Sequence, residues 1–260
     1  MKKKNKAIYL LFLMPFVYFA TACFVVWLVK TSGIYPSGSD TMYHVYRGDY
    51  VYNAIKSGNW YPLYDPAWYN GVEILRYWSP FPAYVMAFCQ YLAGGSQFGA
   101  YLFYIGGVCF LGACVWPFIG RGFNRPYLGA FIGLLWFFMP NNLCAIFIEG
   151  NLARSLSMIF LPVFIYSVYK YLYNHKLRYI PLMVFTFLLM ELCHLGYAGM
   201  VAIAVIIYGI VYIIQKGRKK AVLDVVISMI FGFMLLGIWL VASLRGGITS
   251  LDNSENMANF

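Results

Sequence analysis

Ala7-Ile-Tyr-Leu-Leu-Phe-Leu-Met-Pro-Phe-Val-Tyr-Phe-Ala-Thr-Ala-Cys-Phe-Val-Val-Trp-Leu-Val29 decides the class of fold, because 23 consecutive residues carry no charge directly after Lys2, Lys3, Lys4 and Lys6. At about 1.5 Å per residue this run crosses a hydrocarbon core of about 30 Å, and it is too long for the apolar core of a cleaved signal peptide. It reads as a signal anchor with its amino end in the cytoplasm. Hydrophobic residues make up 62% of the chain and charged residues 11%. Soluble proteins average about 45–50% and about 25%. The chain is an integral membrane protein. Its six cysteines lie in apolar surroundings without a Cys-x-x-Cys pair, as small buried hydrophobes do.

Six further runs are apolar enough to cross: Phe98 to Ile119, Tyr127 to about Asn141, Leu156 to Tyr173, Tyr179 to about Leu192, Tyr197 to Ile214 and Ala221 to Leu244. Several are short, which a closely packed bundle tolerates. The expected fold is an all-α polytopic membrane protein, a single transmembrane domain over 1–260 with about seven spans. Residues 30–80 form a long extracytoplasmic first loop carrying short interfacial helices. Residues 81–96, apolar but too short to cross and ended by Gly94-Gly95-Ser96, form an interfacial or re-entrant helix. The polar stretch 245–260 reads as an external tail cut short by truncation or an early stop.

The charges test the parity of seven spans. The cytoplasmic segments hold 13 of the 19 basic residues, and of the nine acids only Asp224 falls with them. The positive-inside rule thus accounts for the net charge of +10 without nucleic acid. It leaves the first loop, the turn from Pro140 to Ser155, the turn around His194 and the tail on the exterior, and it places the protein in the cell membrane as a multi-pass chain.

The first loop is far longer than an ordinary connection and too aromatic for disorder, so it calls for a function. Ser37-Gly-Ser-Asp40 starts a helix that Gly58 stops. At about 100° per residue, Asp40, His44 and Arg47 share the face that becomes apolar at Val51 and Ile55, directed at the membrane domain. On one reading they rim an active site, with Asp40 taking a proton from an acceptor or holding a metal while His44 and Arg47 orient it or meet phosphate. On the other, Asp40 is an N-cap and His44 and Arg47 anchor the helix at the interface. Trp60, Tyr61, Tyr64, Trp68, Tyr69, Tyr77 and Trp78 read as an interfacial belt, or more sharply as a sugar or isoprenoid platform. Arg76 stands just before the return to the membrane, at lipid-phosphate depth. In the second external segment, Glu149 and Arg154 line a polar cavity or pair with each other. In the third, Glu191 and His194 are three apart, where they could share a face lining the same outer cavity. A Ser-His-Asp order, a glycine-rich phosphate loop and a Cys/His metal cluster are absent from the sequence.

The pattern of Asp40, His44 and Arg47, then Gly58-Asn-Trp-Tyr-Pro62, Trp68-Tyr-Asn-Gly71, Tyr77-Trp-Ser-Pro80 and Glu149-Gly-Asn-Leu-Ala-Arg154 resembles the polytopic GT-C glycosyltransferase superfamily. Within it the chain looks most like the bacterial membrane proteins labelled as related to 6-pyruvoyl-tetrahydropterin synthase, at the amino-terminal part of the usual architecture. The resemblance implies transfer of a sugar from a polyprenyl-phosphate donor to a glycan, lipid or protein acceptor on the outer side. It carries the superfamily's first-loop carboxylate over to Asp40, as catalytic general base or acceptor-orienting residue, and leaves a divalent metal open as a cofactor. Arg76, Arg154 and His194 become candidates for the lipid phosphate by position. Two other classes compete. A transporter or flippase of lipid-linked precursors predicts charged or broken helices near the midplane and inverted repeats. A noncatalytic membrane scaffold predicts indifference to loss of Asp40.

Overall fold

A computed structural model of the chain describes residues 2–68, 71–76 and 78–246, so Tyr69, Tyr77 and the tail beyond 246 lie outside the described residues. Among the described residues ten α-helices follow one another: α1 (Lys2–Ser32), α2 (Thr41–Lys56), α3 (Phe81–Leu92), α4 (Gln97–Gly122), α5 (Pro126–Leu135), α6 (Pro140–Leu143), α7 (Leu152–Asn174), α8 (Tyr179–Cys193), α9 (Leu195–Lys216) and α10 (Lys219–Gly246). Among the described residues the only β pairing is an isolated bridge between Asp65 and Val72. Six helical stretches among the described residues are long and apolar enough to cross a membrane, and α8 is a shorter apolar helix of 15 residues. Together they supply the expected seven.

Successive spans reverse direction, so their ends gather on two faces. On one lie the connections 32–97, 148–152 and 193–195. On the other lie 122–126, 174–179 and 216–219, with Arg121, Arg125, Lys176, Arg178, Arg218 and Lys219.

The third span departs from expectation. The sequence reading ends it near Asn141 and assigns Pro140 to Ser155 to a turn, but the helical stretch runs from Pro126 to Ile148 with a break inside it. After α5 comes one 3₁₀ turn (Trp136–Phe138), then Met139 in extended conformation, α6, and a π-helical turn (Cys144–Ile148). Pro140 has no N–H to offer the carbonyl four residues back, on Trp136. The buried Asn142 side chain donates to that carbonyl instead, at 2.9 Å, so the break leaves no orphan there.

Two hydrophobic cores meet along α7. One packs α1, α3, α4, α5 and the first turns of α7, centred on Tyr18, Tyr101, Ile105 and Ala113. The other packs the rest of α7 with α8, α9 and α10 around Phe164, Met183 and Met190. A small third cluster, Val51, Ile74, Leu75, Ala83 and Ala87, seats the first loop on α2 and α3. The loop is held by its tyrosines. Tyr46 donates to Asp65 (2.5 Å), Tyr50 to the Tyr64 carbonyl (2.7 Å) and Tyr84 to the Trp60 carbonyl (2.6 Å). The Trp239 indole of α10 donates to the Leu75 carbonyl at 2.9 Å, tying the last span to the loop.

Candidate functional site

A cavity of about 380 Å³ lies where the two cores meet the loop, at the face that carries the loop connections. That size falls in the range of small-ligand sites, about 300–1,000 Å³. Its wall is drawn from α2 (Tyr43, His44, Arg47 and the preceding Asp40), the loop return (Trp78, Ser79), the start of α7 (Asn151, Ala153), the junction of α8 and α9 (Cys193 to Gly196) and α10 (Trp239, Leu240). The amino ends of three helices therefore converge on it, since Asp40, Asn151 and His194 are the N-cap residues of α2, α7 and α9. Unsatisfied N–H groups and the helix dipole make such ends favourable to negative charge.

Arg47 is the decisive side chain. It is 1% exposed, yet among the described residues no carboxylate forms an ion pair with it. One terminal nitrogen donates to the Trp78 carbonyl (3.1 Å) and, at the limit, to that of Ser79 (3.4 Å), and its carbon stands 5.4 Å from the Tyr43 ring centre. Its Nε has no partner. Burial pushes its pKa down. A guanidinium stays charged nonetheless, and burying one uncompensated is costly unless an anion joins it.

About two turns earlier, Asp40 occupies the N-cap position of α2, but its carboxylate makes no capping bond. The backbone does the anchoring: Asp40 N–H donates to the Glu149 carbonyl at 3.0 Å, and the Ser39 hydroxyl reaches the same carbonyl at 3.0 Å and Asp40 Oδ1 at 3.3 Å. The carboxylate is left beside the cavity. This junction depends on two glycines in backbone contact. A Cβ on Gly38 would fall 2.6 Å from Gly150 Cα, and Gly150 has a φ of +66°. Gly38→Ala is therefore expected to lower stability by about 1–3 kcal/mol, read as a drop in thermal unfolding temperature in detergent, and to impair any activity that uses Asp40.

His44 is buried beside Arg47, and burial, reinforced by the Arg47 guanidinium, lowers its pKa from 6.5 to about 3. The folded protein then binds fewer protons than the unfolded chain between those values, so stability is full above about 6.5 and falls as pH drops towards 3. His44→Gln is expected to flatten this slope in thermal unfolding measured across pH 4–7. A slope identical to wild type removes His44 from the acid response.

The remaining candidates divide. Glu149 and Arg154 pair at 2.7 Å, and Glu149 also accepts from the Cys144 thiol at 3.3 Å. They buttress the junction that carries Asp40 and do not line the cavity. His194 is on the wall; Glu191 is 2% exposed and is not, and its Oε2 has no partner. The three-residue spacing fails because α8 stops at Cys193 and His194 continues in extended backbone (φ −154°, ψ 95°). Arg76 is not brought to the cavity. It pairs with Glu73 three residues earlier and borders a separate cleft near Ser243. Sequence reasoning passed over Asn151, Ser79 and Trp239 as cavity residues, while Trp78, read as part of an interfacial belt or a sugar or isoprenoid platform, is on the wall. Asn151 alone had a legible signal, as an N-cap residue before an apolar run. Among the described residues, no three His, Cys, Asp or Glu side chains gather as a metal set.

A family model described as "6-pyruvoyl-tetrahydropterin synthase related domain; membrane protein" matches residues 75–260, which takes in the cavity walls from Trp78 onward and leaves Asp40, His44 and Arg47 before its start. No curated protein and no solved structure matches the chain.

Proposed function

The chain belongs to the 6-pyruvoyl-tetrahydropterin synthase related family of membrane proteins, and on that premise we propose that it is a GT-C-type glycosyltransferase working at the face that carries the first loop. The observation that carries this reading is the buried Arg47 guanidinium, without a carboxylate partner among the described residues, on the wall of a cavity that also holds the Asp40 carboxylate. Transfer from a polyprenyl-phosphate sugar needs these two groups. Asp40 accepts the proton of an incoming hydroxyl as its oxygen bonds to the anomeric carbon. The bond from that carbon to the phosphate oxygen breaks, and the polyprenyl phosphate leaves with the electron pair, its charge met by Arg47 and the three helix amino ends. Attack opposite the leaving phosphate inverts the anomeric centre. Acceptors of this reaction are glycans, lipids or proteins of the cell envelope.

The charge asymmetry supports an extracytoplasmic position for this face, with the amino terminus in the cytoplasm. The break in the third span is a feature that transporters share, but its residues, Trp136 to Pro140, do not line the cavity and include no ionisable side chain.

The test is to incubate membranes containing the protein with hexoses and pentoses linked to short polyprenyl phosphates. Release of free polyprenyl phosphate, with transfer of label above control membranes, is the expected result. No turnover of any donor, by protein shown to be folded, overturns the donor class.

A further inference from the structure

We propose that Asn151 and His194 form a recognition site for one neutral hydroxyl group of the sugar, an assignment that rests on the glycosyl-transfer reading and deepens it. The argument begins with the two helix caps. His194 Nδ1 accepts the Tyr197 N–H at 3.0 Å, so this nitrogen carries no proton and the neutral ring holds its hydrogen on Nε2. Burial, which lowers the His194 pKa, keeps the ring in that form. Asn151 Oδ1 accepts the Arg154 N–H at 2.9 Å, which settles the orientation of the amide and leaves Nδ2 with both hydrogens. The two side chains meet at 3.4 Å, Nδ2 against Nε2. Both atoms are donors. Two donors face each other across the cavity wall, and an oxygen with lone pairs would satisfy both.

The charges nearby decide which oxygen. Arg154 pairs with Glu149 through one nitrogen, and His194 feels the Arg154 guanidinium first and then the opposing carboxylates of Asp40 and Glu149, so the charges around it offset one another. A neutral oxygen suits a place where the neighbouring charges offset one another. A hydroxyl has two lone pairs for the two donors and one proton for a carboxylate, and Asp40 lines the same cavity. The cavity therefore has two poles, Arg47 for the phosphate and the Asn151–His194 pair for a sugar hydroxyl.

The variants Asn151→Ser and His194→Ser each keep an N-cap acceptor while removing one donor, so both are expected to fold. Purified full-length protein in detergent would be titrated with neutral monosaccharides and, separately, with inorganic phosphate, each followed by thermal stabilisation. At least one monosaccharide is expected to stabilise the wild type, with affinity falling roughly tenfold in each variant. Phosphate affinity is expected to change less than about threefold, because Arg47 is intact. Sugar binding unaffected by both substitutions overturns the assignment, as does a wild type that binds no monosaccharide. A larger loss for phosphate than for sugar overturns it in favour of an oxyanion site. Transfer assays separate the two claims. A protein that binds sugar through these residues but transfers none keeps the recognition site and loses the enzyme, whereas unchanged KM in both variants does the reverse.

Discussion

Asp40→Asn lowers sugar transfer by roughly 10²- to 10⁴-fold, the usual contribution of a positioned general base, and leaves the unfolding temperature close to that of wild type. Both halves of this expectation follow from how Asp40 is held. Its backbone N–H is bound to the Glu149 carbonyl, while its carboxylate makes no cap bond and accepts only a long contact from Ser39. Asparagine preserves the backbone bond and the side-chain shape but cannot take a proton from an attacking hydroxyl. The check pairs initial rates from labelled donor with thermal unfolding in the same detergent. Unchanged rates remove Asp40 from the chemistry, and a large fall in stability would mean that the carboxylate serves the fold.

Arg47→Met separates binding from stability in the opposite sense. Methionine fills similar space, on the face of α2 that becomes apolar from Val51 onward. The substitution removes the bonds to the Trp78 and Ser79 carbonyls, each worth about 1 kcal/mol net. It also removes an uncompensated buried charge, whose effective penalty is several kcal/mol. Without ligand, the variant is expected to be at least as stable as wild type. With phosphate or a polyprenyl phosphate, the stabilisation seen in wild type should weaken by roughly 10²-fold in apparent affinity, because a charge-assisted contact contributes about 1.5–3 kcal/mol. Thermal unfolding with and without ligand reads both quantities. A variant that is much less stable without ligand but binds phosphate normally would make Arg47 a brace for the loop return.

Most of the bundle was legible because the bilayer demands long apolar runs, and the basic residues at alternate ends independently agree with their number. The third span misled because Pro140-Asn-Asn looks like a turn in one dimension. Only the folded chain shows that Asn142 takes up the carbonyl that Pro140 releases. The helical period was enough to place Asp40, His44 and Arg47 on one side of α2, and all three reach the cavity. Arg76 stands out in the sequence for lying just before the return to the membrane, at lipid-phosphate depth, but Glu73 is three residues before it, and that local pair prevails. Trp239 could not have been found from sequence, since its partner Leu75 is 164 residues away. The opposed donors of Asn151 and His194 were equally hidden, because each residue looks locally like an ordinary cap.

Trp239 also dictates an order of events during synthesis. Domains made on the ribosome fold from the amino end, so the core of α1, α3, α4 and α5 is available before α8 to α10 have left the translocation machinery. The buried cation of α2 then waits beside an open groove until the last helix arrives and its indole closes on the loop. Ribosome-bound chains halted at successive lengths should therefore gain protease resistance in the first half early and ligand binding only once α10 has emerged. Competence waits on α10.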